Sequence, residues 1–182
     1  MKEQLQKDFD NTIKNLSLSQ KDIEIKKFSL DNFINKGFPN RKEEDWKFSD
    51  LNQIINKNIG ELSFYNDYTS TNKVDTSVFV DGLEHNKIVF INGRIEKIDF
   101  DYEKKGQIEI IDQSETINKF DNNNSLSDLN NAFTNKCFKI VIKTGYQLLK
   151  PLIIYHTTNS KIWSKNINLR LDFELQEDSC LR

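Results

Sequence analysis

Alanine occurs once in 182 residues, at Ala132, proline only at Pro39 and Pro151, and cysteine only at Cys137 and Cys180. Two cysteines cannot build a disulfide framework, and a reducing cytoplasm is the compartment expected. The six glycines stand at 37, 60, 82, 93, 106 and 145. They are too dispersed for GxGxxG or GxxxxGK[ST], which need several glycines within a few residues so that backbone can approach phosphate. No GxSxG and no HExxH occurs, and histidine is limited to His85 and His156. Apolar runs are short as well. The longest, Ile88 to Ile91 and Leu152 to Tyr155, have four residues, against about 20 for a membrane-spanning helix. The opening MKEQLQKDFD has no apolar core, so no secretory signal is expected.

Charge of one sign is absent too. There are 26 basic and 28 acidic residues, with 13 against 15 in residues 1 to 90. A nucleic-acid partner would call for a basic domain or stripe, and none is expected here.

What is abundant is Asn, Lys and Ile, 22, 22 and 21 residues, the bias of an AT-rich coding sequence. Only 36% of residues are hydrophobic, below the average of about 45 to 50%. Thirteen Phe, five Tyr and two Trp still supply bulky core material, so a folded chain is expected.

Periodicity divides the chain. Leu5, Phe9, Ile13 and Leu16 recur at helical spacing, and a second helix is expected over 20–36, with Gly37 and Pro39 as its stop. Leu51, Ile54 and Ile55 predict a third helix capped by Ser49 or Asp50. Residues 60 to 80 are polar and aperiodic, a linker or irregular wrap. The run from Lys87 to Ile98 reads as two strands around Asn92-Gly93, whose positive φ angles suit a two-residue hairpin turn. A strand is expected over 107–111, a helical turn over 114–120, a loop over 121–125 and a helix around Leu126, Leu129 and Phe133. From Phe138 onward strands follow one another about 14 to 16 residues apart, the spacing of a β-sandwich or of successive solenoid coils. The last, INLRLDFEL, leads to a turn and to what looks like a further strand at Cys180. A chain ending there would leave an open sheet edge, so a truncated chain is expected.

Candidate chemistry is sparse. Cys137, His156 and Cys180 have the ligand types for zinc or iron, but without a CxxC pair the structural reading is stronger, and neither His85 nor His156 is expected to be catalytic. In Gly37-Phe38-Pro39-Asn40-Arg41-Lys42-Glu43-Glu44-Asp45-Trp46-Lys47-Phe48, the carboxylates lack a nucleophile or a His beside them. Trp46 and Phe48 are expected to anchor this segment onto the helices, with Arg41 and Lys47 paired to Glu44 or Asp45. As an anchor, Trp46 would cost about 3 to 5 kcal/mol on truncation to Ala.

The same segment resembles the N-terminal motif of SufD-type proteins of the SUF iron-sulfur cluster assembly system, a Gly-Leu/Phe-Pro-x-Arg run leading to Glu-x-Trp-Lys-Tyr/Phe-Ser/Thr. The matched positions are Pro39, Arg41, Glu44, Trp46 and Lys47. IVFINGR, with Asn92 and Gly93, is similar to the family's strand ending in Asn-Gly-Arg. Leu129-Asn130-Asn131-Ala132-Phe133, followed by Gly145, Leu148 and Lys150-Pro151-Leu152-Ile153, is similar to its Leu-Asn-x-Ala-Phe segment and the start of its β-helix. Cys137 departs from the pattern, which more often has Gly there.

The resemblance implies an α+β fold: an N-terminal helical domain with small β elements (1–60), a linker and β-hairpin region (61–125), and the first coils of a right-handed parallel β-helix, incomplete (126–182). It implies a non-enzymatic scaffold whose β-helix pairs with a SufB-like paralogue and whose C-terminal region docks a SufC-like ATPase. No cofactor is expected on this chain itself, the cluster belonging to the assembled complex, and no nucleic acid or membrane partner is expected. The family's functional Cys and His lie beyond Arg182, and none maps onto Cys137, His156 or Cys180. Two other readings stay open: a β-helical carbohydrate-active domain, resting on Asp172 and Glu174 in one strand, and a small stand-alone adaptor.

Overall fold

A computed structural model describes residues 2–58, 62–65, 67, 73–114 and 124–181. The chain is mixed α+β, as expected, with four α-helices and two three-stranded sheets among the described residues. It divides into two compact units, one of residues 1–66, 114–135 and 164–169, the other of 67–113, 136–163 and 170–182.

The first unit is helical. Helix α1 (Lys2–Lys14) buries Leu5 and Phe9. Helix α2 (Gln20–Lys36) starts where the Ser19 hydroxyl accepts the Asp22 N–H at 3.2 Å. It stops at Gly37, whose φ of 73° disfavours other residues, and there Phe38 folds back edge-on to Phe33 with ring centres 5.0 Å apart. A 3₁₀ turn (Glu44–Trp46) leads to α3 (Leu51–Asn58), begun by the Asp50 carboxylate accepting the Gln53 N–H at 3.0 Å. Helix α4 (Ser125–Phe133) is capped by Asn124, whose side chain accepts the Leu126 N–H at 2.9 Å.

Leu5, Phe9, Leu30, Phe33, Phe38, Phe64, Ala132 and Phe133 form this unit's core. Phe64 stacks on Phe133 with ring centres 3.5 Å apart, while Phe9 meets Phe133 edge-on at 6.2 Å. Phe64 and Tyr65 are both buried, so a stretch read as polar linker contributes core. Its low apolar content concealed two aromatics that act alone. The helical turn expected over 114–120 and most of the loop at 121–125 lie outside the described residues, as does Gly60.

The second unit holds the strands. Strand β1 (Asn86–Ile91) pairs antiparallel with β2 (Arg94–Asp99), and the turn between them has positive φ at Asn92 (52°) and Gly93 (79°), as the sequence predicts. β3 (Ile108–Asp112) pairs antiparallel with β4 (Lys136–Ile142), a partnership across the intervening helix that the sequence does not signal. β5 (Leu152–Thr157) lies parallel to β1, from Asn86 opposite Leu152 to Ile91 opposite Thr157. β6 (Leu169–Leu175) neighbours β4, giving the orders β2-β1-β5 and β3-β4-β6.

Beyond the ends of β4 and β6 the chains continue side by side. The Gln176 N–H donates to the Ile142 carbonyl at 3.1 Å, the Gly145 N–H donates to that of Glu177 at 2.8 Å, and Gln147 bridges Cys180 in parallel. Both chains advance together through these bonds, the pattern of parallel pairing. Cys180, where a further strand is expected, makes a parallel bridge to Gln147. No β-helix is shown among the described residues. No described helix is long and apolar enough to cross a membrane.

Candidate partner interface

The family-like motif forms a built surface turn on the first unit. Pro39 is buried beside Phe38 at the end of α2. The Glu43 carboxylate then accepts the Asn40 N–H at 3.1 Å, and the Asn40 side chain accepts the Lys42 N–H at 3.0 Å. These local bonds set the chain into the 3₁₀ turn that carries Glu44, Asp45 and Trp46. Lys47 pairs with Glu44 at 2.6 Å, as expected. Arg41 is exposed and makes no ion pair among the described residues. Trp46 is half-buried, but Phe48 is 88% exposed, with the Lys47 ammonium 5.3 Å from its ring centre. The expectation that Phe48 anchors the segment therefore fails. Its ring follows a turn fixed by its own hydrogen bonds, which leaves the aromatic edge facing water.

Asn130 and Phe133 sit on α4 and do different work. Phe133 is core. Asn130 donates to the Leu169 carbonyl at 3.3 Å and accepts from the Asn168 amide at 3.1 Å, holding residues 168 and 169 within the first unit. Behind them lies Lys26, whose side chain is fully buried. Its ammonium donates to the carbonyls of Asn131 (3.1 Å), Ala132 (3.4 Å) and Thr134. These are the carbonyls a helix leaves unpaired at its C-terminal end, where the helix dipole favours a cation.

In the second unit the remaining motif residues lie at opposite ends of β1. Asn92 exchanges two bonds with Asn159, donating to its side chain at 2.9 Å and accepting its N–H at 3.0 Å. At the other end the Pro151 carbonyl accepts the Asn86 N–H at 2.8 Å, which sets β5 in register. The organiser of that corner is Glu103. Its carboxylate accepts from Asn86 (2.6 Å), Tyr146 (2.7 Å), Leu149 (3.1 Å) and Lys150 (3.1 Å). Burial pushes the Glu103 carboxyl upward, and the hydrogen bonds from Tyr146, Asn86, Leu149 and Lys150 together outweigh it, so its pKa lies below the ordinary glutamate value. Burial first, and then this carboxylate, push the Tyr146 hydroxyl up.

β6 presents an outer edge in the order β3-β4-β6. Phe173 is 43% and Leu175 50% exposed, an apolar stripe on an edge strand. On its other face, Arg170 grips Asp172 with two bonds of 2.8 Å and Lys139 pairs with Glu174.

Cys137 is buried, Cys180 exposed, and no three His, Cys, Asp or Glu side chains converge as a metal-ligand set among the described residues. His85 is buried, and His156 sits at the surface edge-on to Phe90, where partial desolvation lowers its pKa. Glu103 and Lys26 escaped sequence reading because both stand among ordinary surface-type charges, in DYEKKG and IEIKKF. Their importance comes from partners distant in the sequence, as with Tyr146 for Glu103 and Ala132 for Lys26. Compared with protein-family models and with curated proteins, the chain matches none.

Proposed function

We propose that the protein is a SufD-like scaffold subunit, non-catalytic by itself, that supports iron-sulfur cluster assembly with a SufB-like paralogue and a SufC-like ATPase. The cluster is cargo of the assembled complex, and the chain works in the cytoplasm. The observation that carries this reading is the parallel stacking. β1 lies on β5, and the chain after β4 returns through β6 to run beside it, with Gln147 against Cys180. Such stacking is how a parallel solenoid propagates, each lap burying itself on the previous one. The opening laps of a right-handed β-helix are the finer reading of this half of the chain.

The motif residues support the same reading by their duties. Pro39 follows the α2 stop at Gly37, Asn92 and Gly93 make the hairpin turn, and Pro151 positions β5, so the motif residues stand at turns and joints of the fold. Arg41, Phe48 and the half-buried Trp46 remain available to a partner, the kind of exposed aromatic and Arg group that anchors interfaces. The carbohydrate-active alternative is less well supported, since the carboxylates of Asp172 and Glu174 are held by Arg170 and Lys139.

Depleting the protein in its native cells tests the proposal. The activities of iron-sulfur enzymes should fall severalfold while cluster-free enzymes keep theirs. Unchanged iron-sulfur enzyme activity would overturn it.

A further inference from the structure

His85 is 2% exposed, yet both nitrogens of its ring are engaged. Nδ1 lies 2.5 Å from the Leu83 carbonyl, and Nε2 lies 2.7 Å from the Tyr155 hydroxyl. A carbonyl can only accept, so Nδ1 carries the hydrogen and Nε2 of the neutral ring is a bare acceptor. Tyr155 therefore donates to His85, and its oxygen in turn accepts the Val80 N–H at 3.0 Å. The relay joins residues 80 to 85 to β5. Beneath that segment Phe79 and Val74 pack on Val89, Ile91 and Tyr155, with the Phe79 and Tyr155 ring centres 4.7 Å apart.

We propose that residues 75–85 form a strap latched over the β1–β5 face by the uncharged His85 ring, and that mild acid releases it. A proton on Nε2 turns the acceptor into a donor. The Tyr155 hydroxyl hydrogen then loses its partner, in a place where a buried unpaired donor is expensive. Both ring nitrogens face neutral groups, so no carboxylate on the ring offsets the new charge. The charged groups nearby are already committed. Lys87 donates to the His85 carbonyl at 3.1 Å and reaches Asp99 at 3.6 Å, and Glu84 is held by Lys150 at 2.6 Å. Glu103 accepts the Asn86 side chain one residue further on. Among these, Lys87 opposes a second positive charge. Opening the strap uncovers the apolar face of Val89, Ile91 and Tyr155, which makes that face available only under acid conditions.

The test is amide exchange on the ¹⁵N-labelled full chain, corrected for intrinsic rates, at about pH 7.5 and about pH 5.5. Protection of the Val80 amide should fall severalfold, by at most about tenfold, in acid, while the Ile140 amide of β4 keeps its protection. Tyr155→Phe should remove Val80 protection at both pH values and abolish the acid step. Equal protection of Val80 at the two pH values, an acid step that persists in Tyr155→Phe, or parallel loss at Ile140 would each overturn the latch. Ring ¹⁵N shifts of the unsubstituted protein give an independent reading. Hydrogen on Nδ1 at neutral pH is required, and the opposite tautomer contradicts it.

Discussion

Tyr146 donates its phenolic hydrogen to the Glu103 carboxylate at 2.7 Å, and the same phenol oxygen accepts the Lys104 N–H at 2.9 Å. Through this one contact the loop after β2 is tied to the turn between β4 and β5. The carboxylate also takes the Leu149 and Lys150 N–H groups and the Asn86 side-chain amide, so its charge is compensated by donors from the β4–β5 turn and from the start of β1.

Glu103→Gln should therefore cost about 2 kcal/mol near neutral pH, because a neutral amide replaces a charge-assisted acceptor and points a donor at other donors. The sign with pH follows from the lowered pKa of the folded protein. The carboxylate's contribution is complete above the unfolded value of about 4.3 and is lost as pH falls through the lower folded value. Urea titrations of the two proteins should differ by a constant amount down to about pH 5 and converge in stronger acid. A difference that grows on acidification would contradict this.

Lys26 gives the first unit a comparable dependence on one buried group. Lys26→Ala should destabilise by about 2 to 4 kcal/mol, since it leaves three carbonyls at the end of α4 without their cation and opens a void. Thermal or urea unfolding measures this directly. A loss below about 0.5 kcal/mol, the range of ordinary surface substitutions, would show that water replaces the ammonium freely.

The motif aromatics should separate stability from binding. Phe48→Ser should leave stability within about 0.5 kcal/mol, as for other exposed sites. Trp46→Ala should cost about 1 to 2 kcal/mol, less than the 3 to 5 of an enclosed aromatic. If the turn docks a partner, both substitutions weaken that complex more than they weaken the fold, which calorimetry of the purified complex would read as a drop in affinity beyond the change in stability.

The stripe on β6 has its own consequence. Phe173 and Leu175 on an outer strand favour edge-to-edge association, so the 182-residue chain should self-associate with rising concentration. Phe173→Lys should suppress this in sedimentation velocity, and amides of β6 should exchange faster than those of Ile140 and Ile142. Equal sedimentation profiles for the two proteins would refute the edge as the cause.

Legibility in the sequence followed the range of the interactions. Helix α2 could be read over 20–36 with its stop at Gly37, and the β1–β2 hairpin from Asn92-Gly93, because helix-stop and turn geometry are decided by neighbours in the chain; the Ser19 cap was not read. The β3–β4 pairing, the burial of Phe64 against Phe133 and the bonds of Glu103 were not legible, since each depends on a partner brought close only by folding. Phe48 misled for the opposite reason: an aromatic beside a Trp reads as core, whereas the local bonds of Asn40 and Glu43 turn it outward. The division of the motif residues into joint-forming and exposed members could not be read from the sequence.

The scaffold assignment is tested most directly by tagging the protein at its own chromosomal locus and identifying what purifies with it under native conditions. The account predicts a SufB-like paralogue and a SufC-like ATPase in the recovered complex, in fixed proportion to the tagged protein. Recovery of the protein with neither of them would contradict it.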